Sequence, residues 1–408
     1  MIMLKPLVIS RAYLWDKSST GQIQRVFWEY ASKHGMCPTV LCSNSNNDVS
    51  PNKIKCKIIQ TYDNQLIRYF IAFLKRTITE DLAYIPDYGY YSWFKMSARR
   101  MAKKEACSGK YDHIYSVCTP YSGHLVALEA KKASGLPWIA SFYDPWYENP
   151  YRPIKNNKIK RRDKLLEAEV ANNADIILHT NQAIWDEWVE RYGDIVRHKM
   201  FVLPLVFNKP KASLTIDESI NEKFTISHIG ALYPKRNSVD FLKSLNFMLI
   251  EHPELREKII LNYVGTVTED DRKYVEEFNF TSFTNFAGFL KENECDKYFI
   301  KSDMFLAVDG KDMRNIFFPS KIMKYFYYGK PILGLTPKGS ALQYELLKSN
   351  NFCFDNEDYQ TIAKFLYHAI TDANYLAKNN SSYWKNFTIE NVYPQYLNII
   401  RTVLGGKI

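Results

Sequence analysis

The chain has 408 residues, 46% of them hydrophobic and 24% charged, which describes a globular protein and excludes a disordered one. That length suits two domains of about 150–200 residues each. A formal net charge of +10 favours anionic partners, whether nucleotides, phospholipid headgroups or nucleic acid, and the 15% aromatic content adds sticky, flat surface.

The opening "MIMLKPLVIS" reads as a first strand at 6–10 with no small-residue cleavage site behind it, so no secretory signal is expected. Further strands are expected at 38–43, 113–118, 138–143, 175–180 and 200–205, with helical patterns between them at 22–35 and 158–174. Strands rich in Val and Ile that alternate with helices imply a parallel sheet covered on both faces. The polar stretch 208–223 lacks apolar periodicity and is taken as a linker. The pattern then restarts, with strands at 224–230, 259–265, 283–288, 303–309, 331–336 and 351–355. A last helix is expected over 389–404, with Pro394 marking a start or a kink. The expected division is a first domain at 1–207, the linker, a second domain at 224–388, and a terminal helical segment at 389–408. Seven scattered cysteines without C-x-x-C pairs fit neither a disulfide framework nor a structural zinc site, and a reducing cytoplasm is the simplest setting. No apolar run reaches the roughly 18 residues that a membrane span needs.

In doubly wound sheets, ligands bind beyond the carboxyl ends of strands, so the residues that follow strands are the candidates. Ser18-Ser19-Thr20-Gly21 follows the first strand, and both a helix cap and a close-approach ligand loop fit it. "HIGALYPKRNSVDFL" (228–242) ends a strand on Gly230 and places Lys235 and Arg236 before the next helix. Cations at a helix N-terminus oppose its dipole, which makes sense where charges and dipole share one anion. In "FFPSKIMKYFYYGKP" (317–331), Ser320, Lys321 and Ile322 open a helix. Their backbone N–H groups would form an anion site, or Ser320 would cap the helix. "SFYDPWYENPY" (141–151) sets Asp144 between Tyr143 and Trp146, which suits either a sugar contact or a packed Asp-Pro turn. His124 near the start of another helix is a structural histidine or an acceptor contact.

Several chemistries are set aside. The sequence holds no H-E-x-x-H, no G-x-S-x-G, no Walker A loop, no G-x-G-x-x-G and no D-x-D. No resident metal or cofactor is therefore expected. No nucleic-acid recognition module is visible, so nucleic acid is not an expected partner.

"HIGALYPKR", "FAGFL" and "FFPSKIMKYFYYGKPIL", in that order, resemble the family 4-like glycosyltransferases, and "WIASFYDPW" and "TGQIQRVFWEYASKHG" resemble them more loosely. The resemblance implies the GT-B fold: two Rossmann-like doubly wound domains facing across a cleft, with the last helix crossing back to the first domain. It implies transfer of a sugar from a nucleotide-sugar donor, typically with retention at the anomeric carbon. By position it places Arg236 on the donor diphosphate, residues Pro319 to Ile322 and Lys321 on the phosphates, and Gly21 and Gly230 in the donor loops. From the residues themselves rather than the resemblance, Asp144 is the candidate catalytic carboxylate, and Tyr143, Trp146 and His124 are candidate acceptor contacts. The sequence departs from the family at Ala231, where an arginine is common, and at Ile316 and Lys324, where two glutamates are common. Either the ribose is then held differently, Lys324 contacts phosphate, or the donor site is degenerate; Asp309 and Asp312 are nearby carboxylates that could substitute.

Residues 65–104 hold eight Lys/Arg against three carboxylates, with aromatics interleaved, and form either a basic amphipathic face for anionic lipid or a solvated helix face. The lipid reading implies a lipid-linked acceptor, a protein peripheral on the inner face of the membrane, and assembly of a cell-surface polysaccharide. Two other functions fit the same architecture: a nucleotide-sugar epimerase, which needs no acceptor, and a non-catalytic subunit that has lost its donor site.

Overall fold

The computed structural model describes residues 3–15, 18–45, 49–77, 87, 89–149, 154, 156–207, 222–311, 315–372, 374–376 and 382–405. The chain divides into two units, Met1–Asn208 with Phe387–Ile408, and Lys209–Asn386. Most of the expected linker, residues 208–221, and Asp312 lie outside the described residues.

The first unit is a seven-stranded parallel sheet built from β1 (Pro6–Ile9), β2 (Thr39–Ser43), β3 (Lys57–Thr61), β4 (His113–Cys118), β5 (Trp138–Phe142), β6 (Ile176–His179) and β7 (Met200–Val202). The strands lie in the order β3-β2-β1-β4-β5-β6-β7. The strands β1, β2, β4, β5 and β6 are buried along their whole length, so apolar side chains on both faces are covered. The sequence reading missed β3. This strand is at the sheet edge, where Lys57 and Gln60 are exposed and interrupt the apolar run that marks a central strand.

The second unit repeats the plan with β8 (Phe224–Ile229), β9 (Ile259–Val264), β10 (Thr284–Gly288), β11 (Met304–Val308), β12 (Ile332–Leu335) and β13 (Phe352–Phe354), in the order β10-β9-β8-β11-β12-β13. In each sheet the chain winds one way and then the other from its first strand. The switch points lie between β1 and β4 and between β8 and β11, which is where a doubly wound sheet opens for a ligand. Each sheet by itself is Rossmann-like and doubly wound, as expected.

The expected helix at 22–35 runs Ser19–Lys33, with Ser18 capping it, and that at 158–174 runs Asn157–Asn173, with the Asn156 side chain accepting from Lys158 and Ile159. The helix Ile389–Leu404 belongs to the first unit and carries Pro394 within it. It buries Val392, Tyr393, Tyr396, Ile400 and Leu404 against the first sheet, and Tyr396 meets Phe27 edge-on at 5.1 Å. Their spacing keeps them on one helix face.

The basic stretch splits in two. The helix Gln65–Thr77 exposes Leu66, Tyr69, Phe70 and Phe73, with Tyr62 just before it. Tyr90, Trp93 and Phe94, on the π-helical segment Tyr90–Ala98, instead turn inward, and the Trp93 indole donates to Thr61 Oγ1 at 2.7 Å. These three rings are core and form no part of a surface face. Residues 78–86 and 88 lie outside the described residues. Among those described, no helix is long and apolar enough to cross a membrane.

Candidate functional site

At the switch point of the second sheet, β8 ends on His228 and Ile229 and is followed by Gly230, and β11 ends on Val308 and is followed by Asp309. Gly230 has φ +133°, and a Cβ there would meet Lys321 Cδ at 2.8 Å. Only glycine allows both that backbone and so close an approach. The Lys321 ammonium lies 2.9 Å from His228 Nε2, and His228 Nδ1 lies 3.0 Å from the Leu306 carbonyl oxygen. A carbonyl can only accept, so the Nδ1 proton is fixed there and Nε2 accepts from Lys321. Tyr325, one turn further on, anchors this corner by accepting from the Ile229 N–H at 2.8 Å.

Arg236 reaches the same place from the loop after β8. Its Nη2 lies 3.0 Å from Asp309 Oδ1, and both side chains are buried. The Thr336 hydroxyl donates to Asp309 Oδ2 at 2.8 Å, and the Asn356 amide donates to the Asp309 carbonyl oxygen at 3.0 Å. Burial raises the Asp309 carboxyl, while Arg236, then Thr336 and Lys321, pull it back. Burial, and then Arg236, push the Lys321 ammonium down to about 7 against the pull of Asp309. Burial, then Lys321 and Arg236, hold the His228 imidazole well below its ordinary value and outweigh its bond to Leu306, so it is neutral. One carboxylate thus serves two cations, and the surplus positive charge suits an anion.

Arg236, Lys321 and Gly230, singled out from sequence, come together here. The backbone-amide site at 320–322 is corrected in part. The helix is only Ile322–Tyr328, and the Ile322 N–H closes onto the Pro319 carbonyl at 2.9 Å. The charge comes from the Lys321 side chain. No side chain caps this helix, Ser320 is exposed, and Lys324 is half-buried on the next turn. Ile316 is buried. Asp309 is not placed to meet sugar hydroxyls, since its side chain is buried, ion-paired with Arg236 and bonded by Thr336.

In the first unit, Asp144 follows β5, half-buried, 3.5 Å from the Thr119 hydroxyl. Burial pushes its carboxyl up to about 6, against Thr119. Tyr143 is half-buried beside it and accepts from the Gln24 side chain. The acceptor roles of Trp146 and His124 are corrected. Trp146 is 1% exposed, stacks on Tyr121 at 5.0 Å and donates to Asp163 at 3.1 Å, so its ring has no face left for a sugar. His124 is wholly buried, 2.8 Å from Ser116 Oγ and packed on Phe142, and burial holds it down to about 3. Gly21 is also explained by packing: a Cβ would meet the Ala12 carbonyl oxygen at 2.3 Å, and its N–H is taken by Ser18 Oγ at 3.2 Å.

Residues 33–207 match the sequence profile of Glycosyltransferase Family 4. That match covers less than half of the chain. No curated protein matches this sequence. In fold it is similar to HepE from Anabaena in complex with UDP-glucose, at 13% identity and TM-score 0.64 over 98% of this chain and 100% of that one. It is also similar to sucrose-phosphate synthase from Thermosynechococcus elongatus, at 14% identity and TM-score 0.61 over 98% and 99%. A third is an α,α-trehalose-phosphate synthase (UDP-forming) from Burkholderia vietnamiensis, at 13% identity and TM-score 0.62 over 98% and 100%.

Sequence reasoning passed over His228 and misassigned Asp309. A signal for His228 existed: it is a polar residue inside the apolar strand "FTISHIG", next to a strand-ending glycine. Nothing local marks Thr336 or Asn356, which meet Asp309 only through the sheet order.

Proposed function

We propose that the protein transfers a sugar from a nucleoside-diphosphate sugar to a saccharide or lipid-linked acceptor. The observation that carries this reading is the convergence of Arg236 and Lys321 beside Gly230 at the switch point of the second sheet. The donor diphosphate docks against these two side chains. As the glycosidic bond to the leaving group breaks, negative charge grows on the diphosphate, and fixed cations stabilise it most in the transition state. These cations supply the charge stabilisation that a metal gives in other transferases, so transfer should persist in EDTA. The family resemblance supports retention of anomeric configuration, which the stereochemistry of the product reports. Asp144 stands on the acceptor side of the reading, at the carboxyl end of β5.

The proposed setting is an anionic membrane surface during assembly of a cell-surface polysaccharide. Its support is the apolar stripe Leu66, Tyr69, Phe70 and Phe73 on a helix, "QLIRYFIAFLKRT", with three cations and no carboxylate. Flotation with vesicles containing phosphatidylglycerol, compared with the Leu66→Ser/Phe70→Ser variant, tests it. Equal flotation of both proteins counts against this surface.

The donor site is tested by calorimetric titration of UDP and GDP into the wild type, Arg236→Ala and Lys321→Ala. UDP comes first because the HepE structure is described with UDP-glucose. Each substitution should weaken binding by about 1.5–3 kcal/mol, the range of a hydrogen bond to a charged group. If no nucleotide binds the wild type, the non-catalytic subunit takes first place; a nucleotide-sugar altered without acceptor would favour the epimerase.

A further inference from the structure

The donor site holds a feature that diphosphate binding alone does not require: a lysine whose hydrogen-bond acceptor is a neutral histidine. Charged lysines are ordinarily partnered by carboxylates or left in water. Here the carboxylate that acts on it electrostatically, Asp309, is 3.0 Å from Arg236 and is further held by Thr336. The titratable and charged groups around Lys321 are His228 on β8, Arg236 after β8, Asp309 after β11 and Tyr325 on its own helix. Cys353 on β13 adds a thiol that burial, with Asp309 nearby, pushes up to about 12 and so keeps neutral. A guanidinium carries a permanent charge, whereas an ammonium releases its proton readily when buried, so the empty site reduces its surplus charge most readily at Lys321.

We propose that His228 is the positioning residue of the diphosphate site, and that a nucleoside diphosphate binds there together with a proton taken up by the Lys321–His228 pair. This rests on the donor-site reading above. The geometry sets the roles. Leu306 fixes the imidazole tautomer, Nε2 therefore faces Lys321 as an acceptor, and the absence of a side chain at Gly230 lets the lysine stem lie over the backbone. When the anion arrives, its charge favours the ammonium, and the pair becomes cationic. With the Lys321 ammonium pushed down to about 7 in the empty site, the pair is mostly neutral at pH 8 and mostly charged at pH 6.

The test is calorimetric titration of UDP and GDP at pH 8 in HEPES and in Tris, two buffers of different ionisation enthalpy. The dependence of the apparent heat on the buffer counts the protons exchanged. A terminal phosphate with a pKa of about 6 is already ionised at that pH, so uptake is the protein's. The wild type should take up more than about half a proton per nucleotide, and its affinity should fall roughly tenfold per pH unit above 7. Lys321→Arg, which keeps a permanent charge, should bind with no uptake. His228→Phe should weaken binding at pH 8 by about tenfold and much less at pH 6, and His228→Gln, which restores an acceptor, should recover most of it. Tight binding by the wild type without proton uptake would overturn the proposal and leave the donor site standing. Equal weakening of His228→Phe at both pH values would reduce His228 to a packing residue. If neither nucleotide binds the wild type, the donor reading itself fails and takes this inference with it.

Discussion

Replacing Arg236 by leucine separates its two jobs. In the fold, Arg236 neutralises Asp309, whose side chain is 0% exposed and 3.0 Å away. Breaking a buried pair by removing one partner costs about 3–5 kcal/mol, because the remaining charge is stranded. Asp309 keeps its bond from Thr336, and burial already raises its carboxyl, so protonation relieves part of that cost. The expected loss for Arg236→Leu is therefore about 2–3 kcal/mol at pH 7.5, and smaller at pH 5, where the stranded carboxyl protonates more readily. Adding Asp309→Asn removes the stranded charge and should recover most of the stability. It should not recover nucleotide affinity, which needs the guanidinium. Stability is best read by hydrogen exchange of peptides spanning β8 and β11 during a urea titration, since seven of the eight tryptophans lie in the first unit and fluorescence would report that unit. Affinity is read by calorimetry on the same proteins. If Arg236→Leu/Asp309→Asn bound nucleotide as tightly as the wild type, Arg236 would be a structural ion-pair partner only, and the diphosphate assignment would be wrong.

Three further outcomes are expected. Gly230→Ala forces a Cβ to 2.8 Å from Lys321 Cδ at φ +133° and should lower nucleotide affinity at least tenfold while far-ultraviolet dichroism stays unchanged; unaltered affinity would show that Lys321 can move aside without consequence. His124 and His179 are buried and neutral, each held down to about 3 mainly by burial, so the unfolded chain binds their protons first as pH falls below about 6.5. Each should cost about 2 kcal/mol of first-unit stability by pH 5, and His179→Phe should flatten the acid branch of the urea midpoint followed by tryptophan fluorescence. Asp144 has a raised carboxyl, so its ionised form opposes folding above about pH 6. Asp144→Asn should therefore gain about 1–2 kcal/mol at pH 8 and nothing at pH 4. The same variant should lose transfer activity with nucleotide affinity intact; retained activity would remove Asp144 from the chemistry.

The extent to which the sequence was legible follows from how local each signal is. Central strands such as "HIYSVC" and "DMFLAVD" were readable because burial on both faces demands continuous apolar residues. The edge strand β3 was not, since Lys57 and Gln60 face water there and the apolar run breaks. Gly230, Arg236 and Lys321 were readable as site residues because strand ends and helix starts are themselves local features. Trp146 and His124 misled because an aromatic or imidazole beside a strand end looks the same in sequence whether it faces solvent or the core.

The sequence by itself determined two parallel α/β sheets, the final helix, and the cationic residues that follow β8 and precede the helix Ile322–Tyr328. Apolar periodicity and loop chemistry act over a few residues, so they survive in one dimension. Only the tertiary structure decided that Asp309 belongs to Arg236, that His228 accepts from Lys321, and that Trp146 is covered by Tyr121 and Asp163. Those facts depend on strand order. Residues 228, 236, 309, 321 and 336 meet because β11 adds beside β8 while β9 and β10 go to its other side and β12 follows outward. That choice is made by packing across the whole sheet, and no window of neighbouring residues carries it.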